Sequence, residues 1–181
     1  QQVIRLMLLG AMVLCGSASW AQGTVLDPQF GDGGKVCLDT ELGNDFFYGV
    51  ALNPLNKSVI MVGEGASSRS IWLFQMDAHG RPDRSFGTNG YLEILKRVGY
   101  FYVPKVTFQP DGKIVICATF RKSKNSYNRF IVTRLLPNGD LDRTFCNTGL
   151  RTATPGYQVL APTPYPNGPD GGVIVTPNGK I

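Results

Sequence analysis

The chain has 181 residues, 43% of them hydrophobic, with 22 Gly and 12 Pro. That composition excludes a disordered tail and a bundle of long helices, and it suffices for one domain with a real core. The net charge of +5, from 18 Lys and Arg against 13 Asp and Glu, is spread along the chain and implies no polyanion partner by itself.

Residues 1–21 read as a secretory signal peptide. Arg5 precedes an apolar run over residues 6–15, and Ser19 and Ala21 are the small residues before a cut that leaves Gln22 first. The run is too short to span a bilayer, so no transmembrane segment is expected after signal removal. The mature chain, 22–181, is expected to be periplasmic or secreted. Leu14 is large where a lipoprotein peptidase needs a small residue, which argues against a lipid anchor on Cys15. There is no initiating Met, so the N-terminus is expected to be slightly incomplete. Cys37, Cys117 and Cys146 remain in the mature chain. Export permits disulfides, but three thiols in non-equivalent positions dictate no pairing and read as small, partly buried hydrophobes.

Next come three segments that recur in one order. "LDPQFGDGG" (26–34) returns as "PDRSFGTNG" (82–90) and "LDRTFCNTG" (141–149). "ALNPLNKSVIMVG" (51–63) returns as "VTFQPDGKIVICAT" (106–119) and "VIVTPNGKI" (173–181), and "IWLFQMDAHGRPD" (71–83) as "FIVTRLLPNGDLD" (130–142). The motif phenylalanines Phe30, Phe86 and Phe145 set a period just under sixty residues. Such a period marks a repeat architecture, with units 26–82, 83–141 and an incomplete 142–181.

Each unit reads as strands only: short β-branched and aromatic runs separated by "PDG", "PNG" and "HG" turns that need Gly at positive φ. One unit has room for four strands, expected at 34–38, 47–52, 58–62 and 71–76. The fold class expected is all-β: a partial β-propeller of four-stranded antiparallel blades, about two and a half repeats, preceded by the signal peptide. In the "LDxxFGxxG" motif Asp27, Asp83 and Asp142 are suited to accept backbone N–H bonds. Phe30, Phe86 and Phe145 are suited to pack inward, and Gly34, Gly90 and Gly149 to tolerate a left-handed backbone. The motif is expected to be a corner joining the last strand of one blade to the first of the next. A calcium site would need six or more converging oxygens, and only the first copy has an extra Asp, Asp32; no cofactor or metal is expected.

These residues resemble the delta-60 repeat of bacterial proteins. The match lies in Leu26, Asp27, Phe30, Gly31 and Gly34, in "QPDGKIVI" (109–116) and in "LLPNGDLDRTF" (135–145). The resemblance covers nearly the whole mature chain. It implies tandem propeller-like blades in an exported protein, with no defined activity and no set of catalytic residues. The chain departs from the pattern at Leu55-Asn56, where Asp-Gly is expected, at Pro82, and at Cys146, where Gly is expected. An insert, "APTPYPNGPDGG" (161–172), disturbs the third unit and is expected to be an exposed loop. Propellers close with four to eight blades, so the chain is expected to be part of a longer reading frame rather than an arc that closes with other chains.

Side chains that could carry chemistry are few. His79 lies in a turn without a nucleophile in context, and triad hydrolysis has no support. The acids Asp39, Glu41, Asp45, Glu64 and Glu93 cannot be paired for glycosidic cleavage. The loop "FRKSKNSYNRF" (120–130) places Arg121, Lys122, Lys124 and Arg129 around Tyr127, a candidate contact for a polyanion. The rival reading is a solvated hairpin tip that keeps edges from pairing, since "GEGASSRSIW" in the preceding unit is neutral. Tyr100 and Tyr102 alternate with Phe101 and read as packing between blades or as platforms for sugar rings. The expected function is an exported, non-catalytic binding or scaffolding module at the bacterial cell envelope or outside. Its partner is expected to be a glycan or another envelope protein, not nucleic acid. The alternative is a fragment of a propeller-type polysaccharide hydrolase or lyase.

Overall fold

The computed structural model describes residues 26–38, 46–64, 69–123, 125–146, 153–154, 156–160 and 172–181. The expected signal peptide lies outside them, as do Asp39, Glu41, Asp45, Lys124, Gly149 and nearly all of the 161–172 insert. Among the described residues there are nine strands and no helix. They form two antiparallel sheets. The first has the order β1 (Phe46–Leu52), β2 (Val59–Glu64), β3 (Ile71–Met76), β4 (Tyr91–Ile94). The second has the order β5 (Tyr100–Phe108), β6 (Ile114–Arg121), β7 (Arg129–Leu135), β9 (Tyr157–Val159), with the two-residue β8 (Ala153–Thr154) on its edge.

The two sheets are built alike. Leu52 pairs with Val59 as Phe108 pairs with Ile114, and Gln75 pairs with Ile60 as Arg134 pairs with Val115. Both first strands break register at the same height, between Phe47 and Gly49 and between Tyr102 and Lys105. Cross-strand partners point to one side of a sheet, so each sheet has two distinct faces. Ala51, Ile60, Val62, Ile71 and Leu73 share one face of the first sheet. They pack on Val106, Phe108, Ile114, Ile116 and Leu135 of the second. This seam is the core, and β6 is buried along all but its last residue. An "IVICATF" run suits a strand covered on both sides.

Two expectations are corrected here. Residues 34–38 do not form the first strand of the sheet that holds β1; they show only an isolated bridge between Asp32 and Lys35. The strand that follows the motif is instead the fourth strand of the sheet before it, as Tyr91 pairs with Phe74 and Ile94 with Ile71. The motif is therefore not a corner between blades. It lies within one sheet, between the third strand and the fourth. A period fixes what repeats, not where each sheet begins.

The third copy differs again. Gly34 donates its amide to the Phe30 carbonyl at 2.9 Å and Gly90 to Phe86 at 3.0 Å, whereas the Phe145 carbonyl takes the amide of Gly156 at 3.0 Å. Gly156, at φ 97°, fills the place that Gly90 holds at φ 87°. The closing glycine of this copy is thus Gly156 rather than Gly149. The seven additional residues (149 to 156) contribute β8 and leave register intact, since Tyr157 pairs with Thr133 as Tyr91 pairs with Phe74.

Candidate functional site

The motif itself is spent on structure. Asp83 accepts the Ser85 amide and hydroxyl on Oδ1, at 2.9 and 2.6 Å, while Oδ2 takes the Gln75 side-chain amide at 2.9 Å. Asp142 does the same with Thr144, and its Oδ2 takes Arg134 Nε at 2.9 Å, with Lys113 Nζ at 3.6 Å. Asp27 accepts the Gln29 amide at 2.9 Å. Burial works to raise the Asp142 carboxyl, but the Thr144 hydroxyl and amide and the Arg134 guanidinium outweigh it and hold it below the ordinary carboxylate range. Phe86 is fully buried and Phe30 and Phe145 are half-buried. A Cβ on Gly139 would lie 3.1 Å from the Phe86 ring, and one on Gly80 3.3 Å from Phe30, so the turn that ends each of these two units rests on the motif that opens it. His79 belongs to that turn: it is exposed, its amide bonds Asp77 Oδ1 at 2.8 Å, and its carbonyl accepts the Gly31 amide at 2.8 Å.

The opposite end of the sheets is different in kind. Alternating strand directions bring the β2–β3, β4–β5 and β6–β7 connections to one end, away from the "PDG"-type turns. At that end Arg69, Ser70, Glu93, Lys96 and Arg97 line an open cleft of about 680 Å³. The Arg97 amide bonds the Arg69 carbonyl at 2.9 Å, tying the two connections together. Leu95 and Arg97 are held at φ 53° and 59°, a left-handed backbone that side chains disfavour. Glu93 is spoken for by Lys96 Nζ at 2.8 Å. Burial raises its carboxyl, yet the bonds from Lys96 and Ser70 and the nearby Arg97 bring it below its ordinary value.

Two arginine–tyrosine pairs stand at this end of the sheets, one of them made by Arg69 of the cleft. Arg69 lies 5.1 Å above the centroid of Tyr100, and Arg121 lies 5.6 Å above that of Tyr102. A guanidinium over a ring keeps its charge and its fork of donors while losing much of its side-chain freedom. Arg121 is further held by the buried Asn128. Lys122 and Arg129 are exposed at the same end, and no carboxylate lies within ion-pair distance of either among the described residues. The other carboxylate there among the described residues, Glu64, accepts the Tyr48 hydroxyl at 2.8 Å. Its bond is the chief cause that pushes the Tyr48 phenol up.

The basic loop singled out in the sequence thus gains Arg69, Lys96 and Arg97, which sequence reasoning missed. The "KR" pair at 96–97 was the signal, but it lies on another connection. Only the strand order shows that these connections meet. The neutral look of "GEGASSRSIW" also misled, because its Arg69 is carried onto Tyr100 of the next sheet.

Fold and repeat together define an all-β protein built of four-stranded antiparallel blades, a partial β-propeller. In agreement, residues 109–145 match a family described as a domain of unknown function (DUF5122) beta-propeller. No curated protein and no solved structure matches the chain.

Proposed function

We propose that the chain is a non-catalytic binding module of an exported bacterial protein of the delta-60 kind, and that its cationic end holds an anionic glycan at the cell envelope or outside. The observation that supports this is the pairing of Arg69 with Tyr100 and of Arg121 with Tyr102 at one end of the sheets, where Arg69 lines a cleft together with Lys96 and Arg97. Prearranged guanidinium groups suit bidentate recognition of carboxylate or sulfate groups on successive sugars. Among the described residues, the two carboxylates at this end, Glu93 and Glu64, are bonded by Lys96 and Tyr48.

Retention on an immobilised polyuronate, measured against a neutral glycan across a salt series, tests this reading. Binding should fall as salt rises, and the Arg69→Ala/Arg97→Ala variant should lose about tenfold or more in affinity. Equal retention on both glycans would sink it. Release of new reducing or unsaturated ends from the polyuronate would replace it with the hydrolase or lyase reading.

A further inference from the structure

The two sheets close the same corner with different chemistry. In the second, the Gln109 amide bonds the Lys113 carbonyl at 2.8 Å; in the first, the Asn53 amide bonds the Ser58 carbonyl at 2.8 Å, so Ser58 holds the place of Lys113. Gln75 likewise holds the place of Arg134, since the Asp83 amide bonds its carbonyl as the Asp142 amide bonds that of Arg134. Around Asp142 these places supply two cations, Arg134 Nε at 2.9 Å and Lys113 Nζ at 3.6 Å from Oδ2. Around Asp83 they supply an amide and a hydroxyl, both neutral.

The difference leaves polar atoms unmet. Gln75 and Ser58 are 4% and 2% exposed, and among the described residues neither Gln75 Oε1 nor Ser58 Oγ has a hydrogen-bond partner. Gln75 pairs with Ile60, and Ser58, just before β2, is two residues from Ile60 and so on the same face. Gln75 and Ser58 are thus diagonal neighbours, a separation that a long side chain spans. Gln75 gives its side-chain amide to Asp83 Oδ2 at 2.9 Å, which leaves its oxygen unmet. Among the described residues no lysine or arginine lies within ion-pair distance of Asp83. Burial works to raise the Asp83 carboxyl, but its hydrogen bonds hold it below the ordinary value, so it is charged at neutral pH.

We propose that Gln75 Oε1, Ser58 Oγ and Asp83 Oδ2 hold a small monovalent cation, sodium, potassium or ammonium, in the role that the Lys113 ammonium has beside Asp142. All three are oxygens with a lone pair to offer. A carboxylate without a counter-charge, beside two buried acceptors, calls for positive charge, which water does not bring. Ile60, on the same face, belongs to the core that the two sheets share, so the cation is bound at their seam and adds to its stability.

Thermal midpoints of the full chain in sodium, potassium and ammonium chloride, each against tetramethylammonium chloride of equal ionic strength, test this. The small cation that fits should raise the midpoint by about 2–4 °C, because an ion that binds only the folded state stabilises it. Asp83→Asn keeps an oxygen for the Ser85 amide but removes the charge, and its midpoint should be the same in all four salts. Ser58→Lys, which brings its own ammonium, should lose the dependence as well; Asp83→Asn carries the test even where a lysine does not fit the seam. Asp142→Asn should keep the dependence, since Arg134 and Lys113 serve that carboxylate. The salt with the highest midpoint identifies the ion. Equal midpoints for the parent in all four salts would mean that water meets the two oxygens, and would overturn the inference. A dependence that persists in Asp83→Asn would overturn it too, because the ion would then bind elsewhere.

Discussion

Arg134 and Asp142 are joined through both side chain and backbone: Arg134 Nε donates to Asp142 Oδ2 at 2.9 Å, and the Asp142 amide donates to the Arg134 carbonyl at 2.9 Å. In the first sheet Gln75 and Asp83 make the same two contacts, each at 2.9 Å, without the positive charge. The motif carboxylate therefore does two jobs. One oxygen shapes its own turn, and the other locks that turn to the third strand.

Removing the Asp142 carboxylate leaves Arg134 half-buried without its partner. Asp142→Ala should cost about 3 kcal/mol in urea unfolding, against about 1–2 kcal/mol for Asp83→Ala, whose partner is neutral. The same pair sets an acid dependence. Both carboxyls lie below their ordinary value; for Asp83, burial raises it but the Ser85 hydroxyl, the Gln75 amide and the Ser85 N–H prevail. A depressed folded value means stability that is fully present above the unfolded carboxylate range, near pH 4, and lost as pH falls through the folded one. Asp142→Asn should therefore lose less stability than the parent between neutral pH and about pH 3. Parallel stability curves for the two proteins would count against the assignment.

Cys146 sits at φ 59°, where the equivalent Gly31 and Gly87 sit at φ 60° and 54°. A Cβ on Gly87 would strike the Tyr91 carbonyl oxygen, and one on Gly31 that of Lys35. In the third copy the chain returns only at Gly156, and a side chain is found at this position. Gly87→Ala should destabilise by about 2 kcal/mol or more, and Cys146→Gly should stabilise by up to about 1 kcal/mol by relieving the left-handed strain. Thermal melts of the two variants would show opposite shifts. A loss of stability in Cys146→Gly would mean that the half-buried thiol contributes more packing than its backbone costs.

The three described thiols should differ in reactivity. Burial pushes the Cys117 thiol up to about 11, against a smaller opposing effect of Lys105, and burial also raises Cys146. Cys37 is exposed, a departure from the partly buried role expected of it. With a thiol reagent at pH 8 the folded chain should label first at Cys37, and Cys117 should label only on unfolding. Mass spectrometry of partially labelled protein gives the order directly; early labelling at Cys117 would mean that β6 opens far more readily than its burial implies.

What the sequence made legible was periodic. The runs of Ile71–Met76 and Ile114–Phe120, and the "PDG" and "PNG" turns, announce antiparallel strands because short apolar runs and the glycines between them are local matters. The pairing of Gln75 with Asp83 was not legible, since neither residue signals a partner eight positions away across a turn. The closing role of Gly156 was hidden for another reason. Counting by period lands on Gly149, and only hydrogen bonding shows which glycine the Phe145 carbonyl takes. At the candidate site, the loop around Arg121 was visible as a charge run. Its companions Arg69 and Arg97 were not, because they converge through strand order rather than along the chain.

The offset between period and sheet decides how such a chain can lengthen. One repeat, 26–82, carries a motif with its following strand position and then β1, β2 and β3. Inserted in tandem, a unit cut at those limits would finish the sheet before it and open the sheet after it. The turn at Gly80 would close on the motif of its own unit at Phe30, as Gly139 meets Phe86. Duplication at the sequence period thus never creates a freestanding blade: each added copy is laced to both neighbours from the start, and the row can grow by whole units without inventing a new contact.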